Sequence, residues 1–167
     1  MQFIEIANRT YGLKFTARSL LRGQQLSDIP FRSLFCSGEK GAKMLLYCAL
    51  CHQYPGITRR QAESVFDAAA ENASLLYDKL CLAFHESGFP REGITQAQFD
   101  KLTDSAARAG MPDTAKLENM TLNEINRELN AFLARARFST AAPASMTDAA
   151  MKSVLTAFAR RNTIVNP

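Results

Sequence analysis

Residues 42–56, Ala-Lys-Met-Leu-Leu-Tyr-Cys-Ala-Leu-Cys-His-Gln-Tyr-Pro-Gly, decide how the fold is read. From Met44 to Cys51 the run is unbroken and apolar, so it has no wet face of its own. It stops at His52, well short of the roughly 18 apolar residues a membrane span needs. The stretch Ala42 to Tyr54 therefore predicts a helix buried at the centre of a helical core. Pro55-Gly56 closes it, and Gly38 and Gly41 break the chain ahead of it.

Downstream of this helix the sequence repeats one device. Thr58-Arg59-Arg60-Gln61, Thr95-Gln96-Ala97-Gln98 and Thr121-Leu122-Asn123-Glu124 each have the form of a capping box, with a threonine oxygen for one orphan amide and a Gln or Glu reaching back. They predict helices from about 59 to 70, through Phe99 and Leu102 to Gly110, and along a stripe of Leu122, Ile125, Leu129, Phe132, Leu133 and Ala136. Between the first two, Leu75, Leu76, Leu80, Ala83 and Phe84 mark a helix from about 73 to 87, ended by Gly88-Phe89-Pro90. Ser139 to Ser145 reads as a small-residue linker. Met151, Val154, Leu155 and Phe158 mark a last helix ending in Arg160-Arg161.

Upstream the period changes. Phe3-Ile4-Glu5-Ile6 and Thr10-Tyr11-Gly12-Leu13-Lys14-Phe15 alternate like strands, and Asn8 between them tolerates a left-handed turn, which predicts a hairpin. After Thr16 the period becomes helical, with Ala17, Leu20, Leu21 and Leu26 on one side and Arg18 and Arg22 on another. Ser27-Asp28-Ile29-Pro30 ends that helix and starts a short one.

With 167 residues, 47% apolar and 22% charged, the chain can bury one good core, and neither disorder nor a fibrous repeat fits. The expected architecture is mainly α: a small N-terminal β-hairpin, a helical core domain over residues 1–110, and an amphipathic helical extension over residues 111–167. The N-terminus has neither a basic leader nor an apolar signal core, so a cytoplasmic protein with reduced cysteines is expected. The net charge of +4 is unevenly spread, at +6 over residues 1–60, −5 over 61–107 and +3 over 108–167. Opposed charge of this kind suits head-to-tail contact between copies that weakens in salt.

Several chemical motifs invite a reading. Cys48-Ala49-Leu50-Cys51-His52 matches a haem-attachment pattern, but it sits inside the apolar helical run of a chain expected to stay in the cytoplasm. Cys48-x2-Cys51 and Cys81-x3-His85 offer two pairs of soft zinc ligands, yet both lie among Leu, Ala and aromatic residues, where cysteine serves as a small core side chain. No metal or other cofactor is expected. With His52 and His85 as the sole histidines, and no nucleophile elbow or phosphate loop, no enzyme is expected either. Arg59, Arg60 and Gln61 at a helix start suit a DNA-reading head, but Glu63, Asp67 and Glu71 on the same helix and just beyond it would repel phosphate, so nucleic acid is not expected as a partner.

Three stretches together carry a resemblance. They are Phe3-Ile4-Glu5-Ile6 to Phe15, the helix start Thr16-Ala17-Arg18-Ser19-Leu20-Leu21, and Met44 to His52 followed by Pro55-Gly56-Ile57-Thr58. This pattern resembles the tail assembly chaperones of long-tailed bacteriophages and prophages. In that family a short hairpin leads into a helical domain, an apolar helix ends in a His and a Pro-x-Leu/Ile-Thr segment, and another helix follows. The resemblance covers about residues 1–88, and residues 120–161 are similar in element order to the C-terminal extension some members carry. It implies a chaperone that coats the tape-measure protein, self-associates, and helps bring in tail-tube subunits. It involves no membrane. Candidate partner contacts are Tyr11, Phe31, Leu34 and Phe35, with Arg18 and Arg22 beside them. The alternatives on residues alone are a small DNA-binding regulator and a zinc-bearing adaptor.

Overall fold

The computed structural model describes residues 1–138 of the chain. Strands β1 (Gln2–Ile6) and β2 (Arg9–Leu13) pair antiparallel, with Ile6 opposite Arg9 and Gln2 opposite Leu13. The two-residue turn between them needs left-handed backbone twice, and Ala7 and Asn8 adopt φ of 50° and 60°. Asn8 suits this conformation. Ala7 tolerates it at a cost of roughly 1 kcal/mol.

Among the described residues six α-helices follow: α1 (Ala17–Leu26), α2 (Gly38–Leu50), α3 (Arg59–Ala68), α4 (Ala73–Ser87), α5 (Gln96–Arg108) and α6 (Leu122–Phe138). Short 3-10 turns at Phe31–Cys36, Ala70–Asn72 and Ala115–Asn119 join them. The chain is mainly α with a small N-terminal hairpin, as its periodicity predicts. The boxes at Thr58, Thr95 and Thr121 all form, each threonine oxygen accepting the backbone N–H three residues on. Gln61, Gln98 and Glu124 accept in return. A further box opens α1, where Ser19 plays the part usually taken by Gln or Glu.

The central helix is displaced from its predicted span. It starts at Gly38 and ends at Leu50, so Gly41 lies inside it. Gly41 marks a close approach, since a Cβ there would sit 1.9 Å from the carbonyl oxygen of Leu34. At the other end the extension of β2 takes over, and the Lys14 N–H donates to the Ala49 carbonyl at 3.1 Å. Every residue from Met44 to Leu50 is buried.

Around α2 the elements close on a single apolar cluster. Phe84 of α4 is its junction, with ring centroids 5.2 Å from Phe15, 5.6 Å from Phe31 and 4.8 Å from Phe35. The division expected at residue 110 is not a packing boundary. Met111, Leu117, Leu122, Ile125 and Leu129 belong to the same cluster as Leu45 and Leu80. The Ala17 N–H donates to the Met120 carbonyl at 3.0 Å, and Lys14 pairs with Glu124 at 2.8 Å. An amphipathic stripe wants an apolar partner, and α6 finds it in the core domain itself. The predicted linker at 139–145 and last helix at 151–161 lie outside the described residues. No described helix is long and apolar enough to cross a membrane.

Candidate functional site

Between the 3-10 turn at Phe31–Cys36 and helices α2, α3 and α4 lies an open groove of about 660 Å³. Its apolar lining comes from Phe35, Ala42, Phe66, Ala70, Ala73 and Tyr77. Small residues create it: where α3 gives way to α4, the chain runs Ala68-Ala69-Ala70 and then Ala73, leaving no bulk to fill the space. Its near wall is fixed by Tyr77, whose hydroxyl donates to the Phe35 carbonyl, and by Phe35 packed at a tilt against Phe84.

Charge sits on one rim. Lys43 reaches across the space between α2 and α3 and pairs with Glu39 at 2.6 Å and Asp67 at 2.8 Å. Its ammonium lies 5.5 Å from the centre of the Phe66 ring. The hydrogen bonds to Asp67 and then Glu39 hold the Lys43 pKa well above the ordinary lysine range, so it stays charged throughout the accessible pH range. Two carboxylates share one ammonium, and the rim is net acidic. An apolar trough with an acidic rim favours an apolar surface flanked by basic residues.

The six predicted contact residues do not form one surface. Phe31 and Leu34 are core residues, 3% and 1% exposed, and this corrects their assignment as partner contacts. The turn they occupy presses its inner side on α2, which the bare Gly41 allows to come close. Phe35, on the same turn, is half-buried and lines the groove. Tyr11 lies elsewhere, half-buried on the hairpin with its ring 6.1 Å from Tyr54. Arg18 is exposed on α1, with Glu118 at 3.9 Å. Arg22 donates to the Pro55 carbonyl at 3.0 Å and stands 5.6 Å above the Tyr47 ring. Of the six, the groove takes Phe35 alone.

The cysteines divide by environment. Cys48 is fully buried, packed against Gly23 of α1, and burial drives its thiol pKa far above the ordinary value. Burial also raises Cys51, against opposing effects from Tyr47 and Arg22. Thiols held protonated in this way are poor metal ligands and poor nucleophiles. Among the described residues, no three His, Cys, Asp or Glu side chains come together as a metal-binding group. Two of the three DNA-reading candidates are engaged locally as well: Arg59 pairs with Glu63 at 2.9 Å, and Gln61 is consumed by the cap at Thr58.

A second depression, of about 480 Å³, lies between Lys14, the Ala115–Asn119 turn and α6. Its charges are largely internally paired, Lys14 with Glu124 and Lys116 with Glu128 at 2.5 Å. These ion pairs tie β2 and the turn to α6. Burial pushes the Glu124 carboxyl up, but hydrogen bonds from Lys14 and the Thr121 backbone outweigh it and the net shift is downward. Comparison with protein-family models, with curated proteins and with solved structures gives no match to this chain.

Proposed function

We propose that the chain is a tail assembly chaperone, which binds the tape-measure protein stoichiometrically, keeps it soluble in the host cytoplasm, and helps recruit tail-tube subunits. The observation that carries this reading is the groove beside Phe35, Phe66 and Tyr77. An open apolar trough built by alanines on a rigid helical body suits one face of an amphipathic helix, the helix-in-groove mode of recognition. Long rod-forming proteins consist of such helices and aggregate when those faces stay bare. The resemblance in residues 1–88 supports the same reading from the sequence side.

No covalent step is involved. Binding works by removing apolar surface from water, worth about 25 cal/mol per Å² before the cost of ordering the bound segment. The Glu39 and Asp67 rim selects helices whose apolar face is flanked by Lys or Arg. Many copies along one rod would also use the opposed charge of residues 1–60 and 61–107. Co-expression with the cognate tape-measure protein tests the proposal. The expected result is a soluble tape measure that co-elutes with several copies of this chain. A tape measure that precipitates while this chain stays alone in solution would overturn it.

A further inference from the structure

The groove beside Phe35 and Tyr77 is walled by the acidic part of the chain. Glu39 and Asp67 share Lys43 on its rim, and α4 with most of α3 belongs to residues 61–107, which carry a net charge of −5. Such a trough seats an apolar helix face bordered by basic residues.

The chain carries a segment of that chemistry itself, outside the described residues. Met151, Val154, Leu155 and Phe158 recur at the spacing of one helix face. At about 100° per residue, Arg161 falls about 70° to one side of the middle of that face and Lys152 about 110° to the other. A cation therefore borders the face on each side, and Arg160 adds a third positive charge. Asp148 is the one acid that residues 139–167 set against these three.

The segment is also tethered within reach. Twelve residues, 139–150, join it to the end of α6 and can span about 40 Å. A compact body of 138 residues has a radius of gyration of about 14 Å, so the tether reaches across it. The body itself links α6 to the groove through α4. The first turns of α4 line the groove, and at its last turn the Glu86 carbonyl accepts from the Asn123 side chain of α6 at 2.9 Å. A flexible tether of this length holds its cargo at an effective concentration of about 1 mM, well above that of second copies in a micromolar solution.

We propose that residues 148–161 of the same chain seat in the groove of the free protein, as an internal placeholder that an incoming helix has to displace. The proposal rests on the helix-seating reading of the groove and adds its regulation. The trough stays covered until a better-matched helix competes for it, which keeps a sticky apolar surface from water. An outside helix then binds more weakly by the fraction of time the groove is filled, so poorly matched helices are rejected.

Cys36 lines the groove and is exposed among the described residues, so its thiol reports occupancy. Alkylation of the full chain by iodoacetamide, read thiol by thiol by mass spectrometry, needs no tape-measure protein, and its outcome is independent of the co-expression test. At the tethered concentration an affinity of only about 100 µM keeps the groove about nine-tenths filled, so the double variant Leu155→Asp, Phe158→Asp should speed Cys36 about tenfold. Cys48, fully buried, should stay unreactive in both proteins and show the core intact. Amides 151–158 should be protected from hydrogen exchange in the parent at every protein concentration, and should lose that protection in Ala70→Arg, where the groove is filled. Equal Cys36 rates in parent and double variant would overturn the proposal. So would amides 151–158 that exchange freely in the parent, that stay protected in Ala70→Arg, or that gain protection only as protein concentration rises.

Discussion

Replacing Gly23 by alanine puts a methyl group where the structure has no room for one. A Cβ at that position lies 2.2 Å from the Cys48 sulfur and 3.8 Å from its Cβ, against an ordinary contact of about 3.5–4 Å. The sulfur has nowhere to turn, because Cys48 is wholly buried. Overpacking of this kind costs about 1–3 kcal/mol, and an approach as short as 2.2 Å belongs in the upper part of that range, at about 2–3 kcal/mol, while alanine in place of glycine inside a helix returns about 1 kcal/mol. Gly23→Ala should therefore destabilise by about 1–2 kcal/mol, or about 3–6 °C in melting temperature for a chain of this size. Cys48→Ala alone loses one buried sulfur, roughly 1 kcal/mol. In the double variant the new methyl enters the space the sulfur has left, so the two changes should rescue each other with a coupling of about 2 kcal/mol. Urea denaturation of the four proteins with a common m-value measures this. A neutral or stabilising Gly23→Ala would refute the close packing of α1 on α2, and so would additive effects. The cycle also weighs the metal reading of Cys48, because a thiol kept for a metal would make Cys48→Ala the most damaging change and abolish the rescue.

Gly41→Ala meets a backbone oxygen at 1.9 Å, which cannot rotate away. It should cost more than the Gly23 variant, about 2–4 kcal/mol, visible as a melting temperature lowered by about 5 °C or more. Glu124 has its carboxyl pKa lowered on folding, so its contribution is present above the unfolded value near 4.3 and is lost as pH falls through the folded value. Glu124 is 41% exposed, which limits that contribution to under about 1 kcal/mol. Melting temperatures of the parent and Glu124→Gln should differ at pH 7 and converge toward pH 3, and a gap that widens in acid would contradict the Lys14 pairing.

Local signals were legible where one residue type has one use. Threonine followed three residues later by Gln or Glu forms its cap at 58, 95 and 121. Asn8 takes the left-handed turn, and Gly88 the left-handed end of α4. Signals with two meanings were misread. Gly41 breaks a helix or admits a neighbour, and which it does depends on Leu34, seven residues earlier in sequence and across the packing interface. Phe31 and Phe35 are alike in sequence, yet the 3-10 turn sends one into the core and leaves the other on the groove. The groove itself had no apolar stripe to announce it. Its signal is an absence of bulk at Ala70 and Ala73, on elements distant from Phe35 in sequence. The stripe of α6 looked like a surface in search of a partner because its partner, the core around Leu117 and Leu80, is spread over the whole chain.

The most direct test of the central claim compares two versions of the chain in co-expression with the cognate tape-measure protein. Ala70 is exposed and lines the groove, so Ala70→Arg fills that space from a position that bears no core contact. The parent chain should keep the tape measure soluble and co-purify with it, while Ala70→Arg should fold with an unchanged melting temperature and leave the tape measure insoluble. A parent chain that fails to solubilise the tape measure, or an Ala70→Arg variant that solubilises it equally well, would contradict the account.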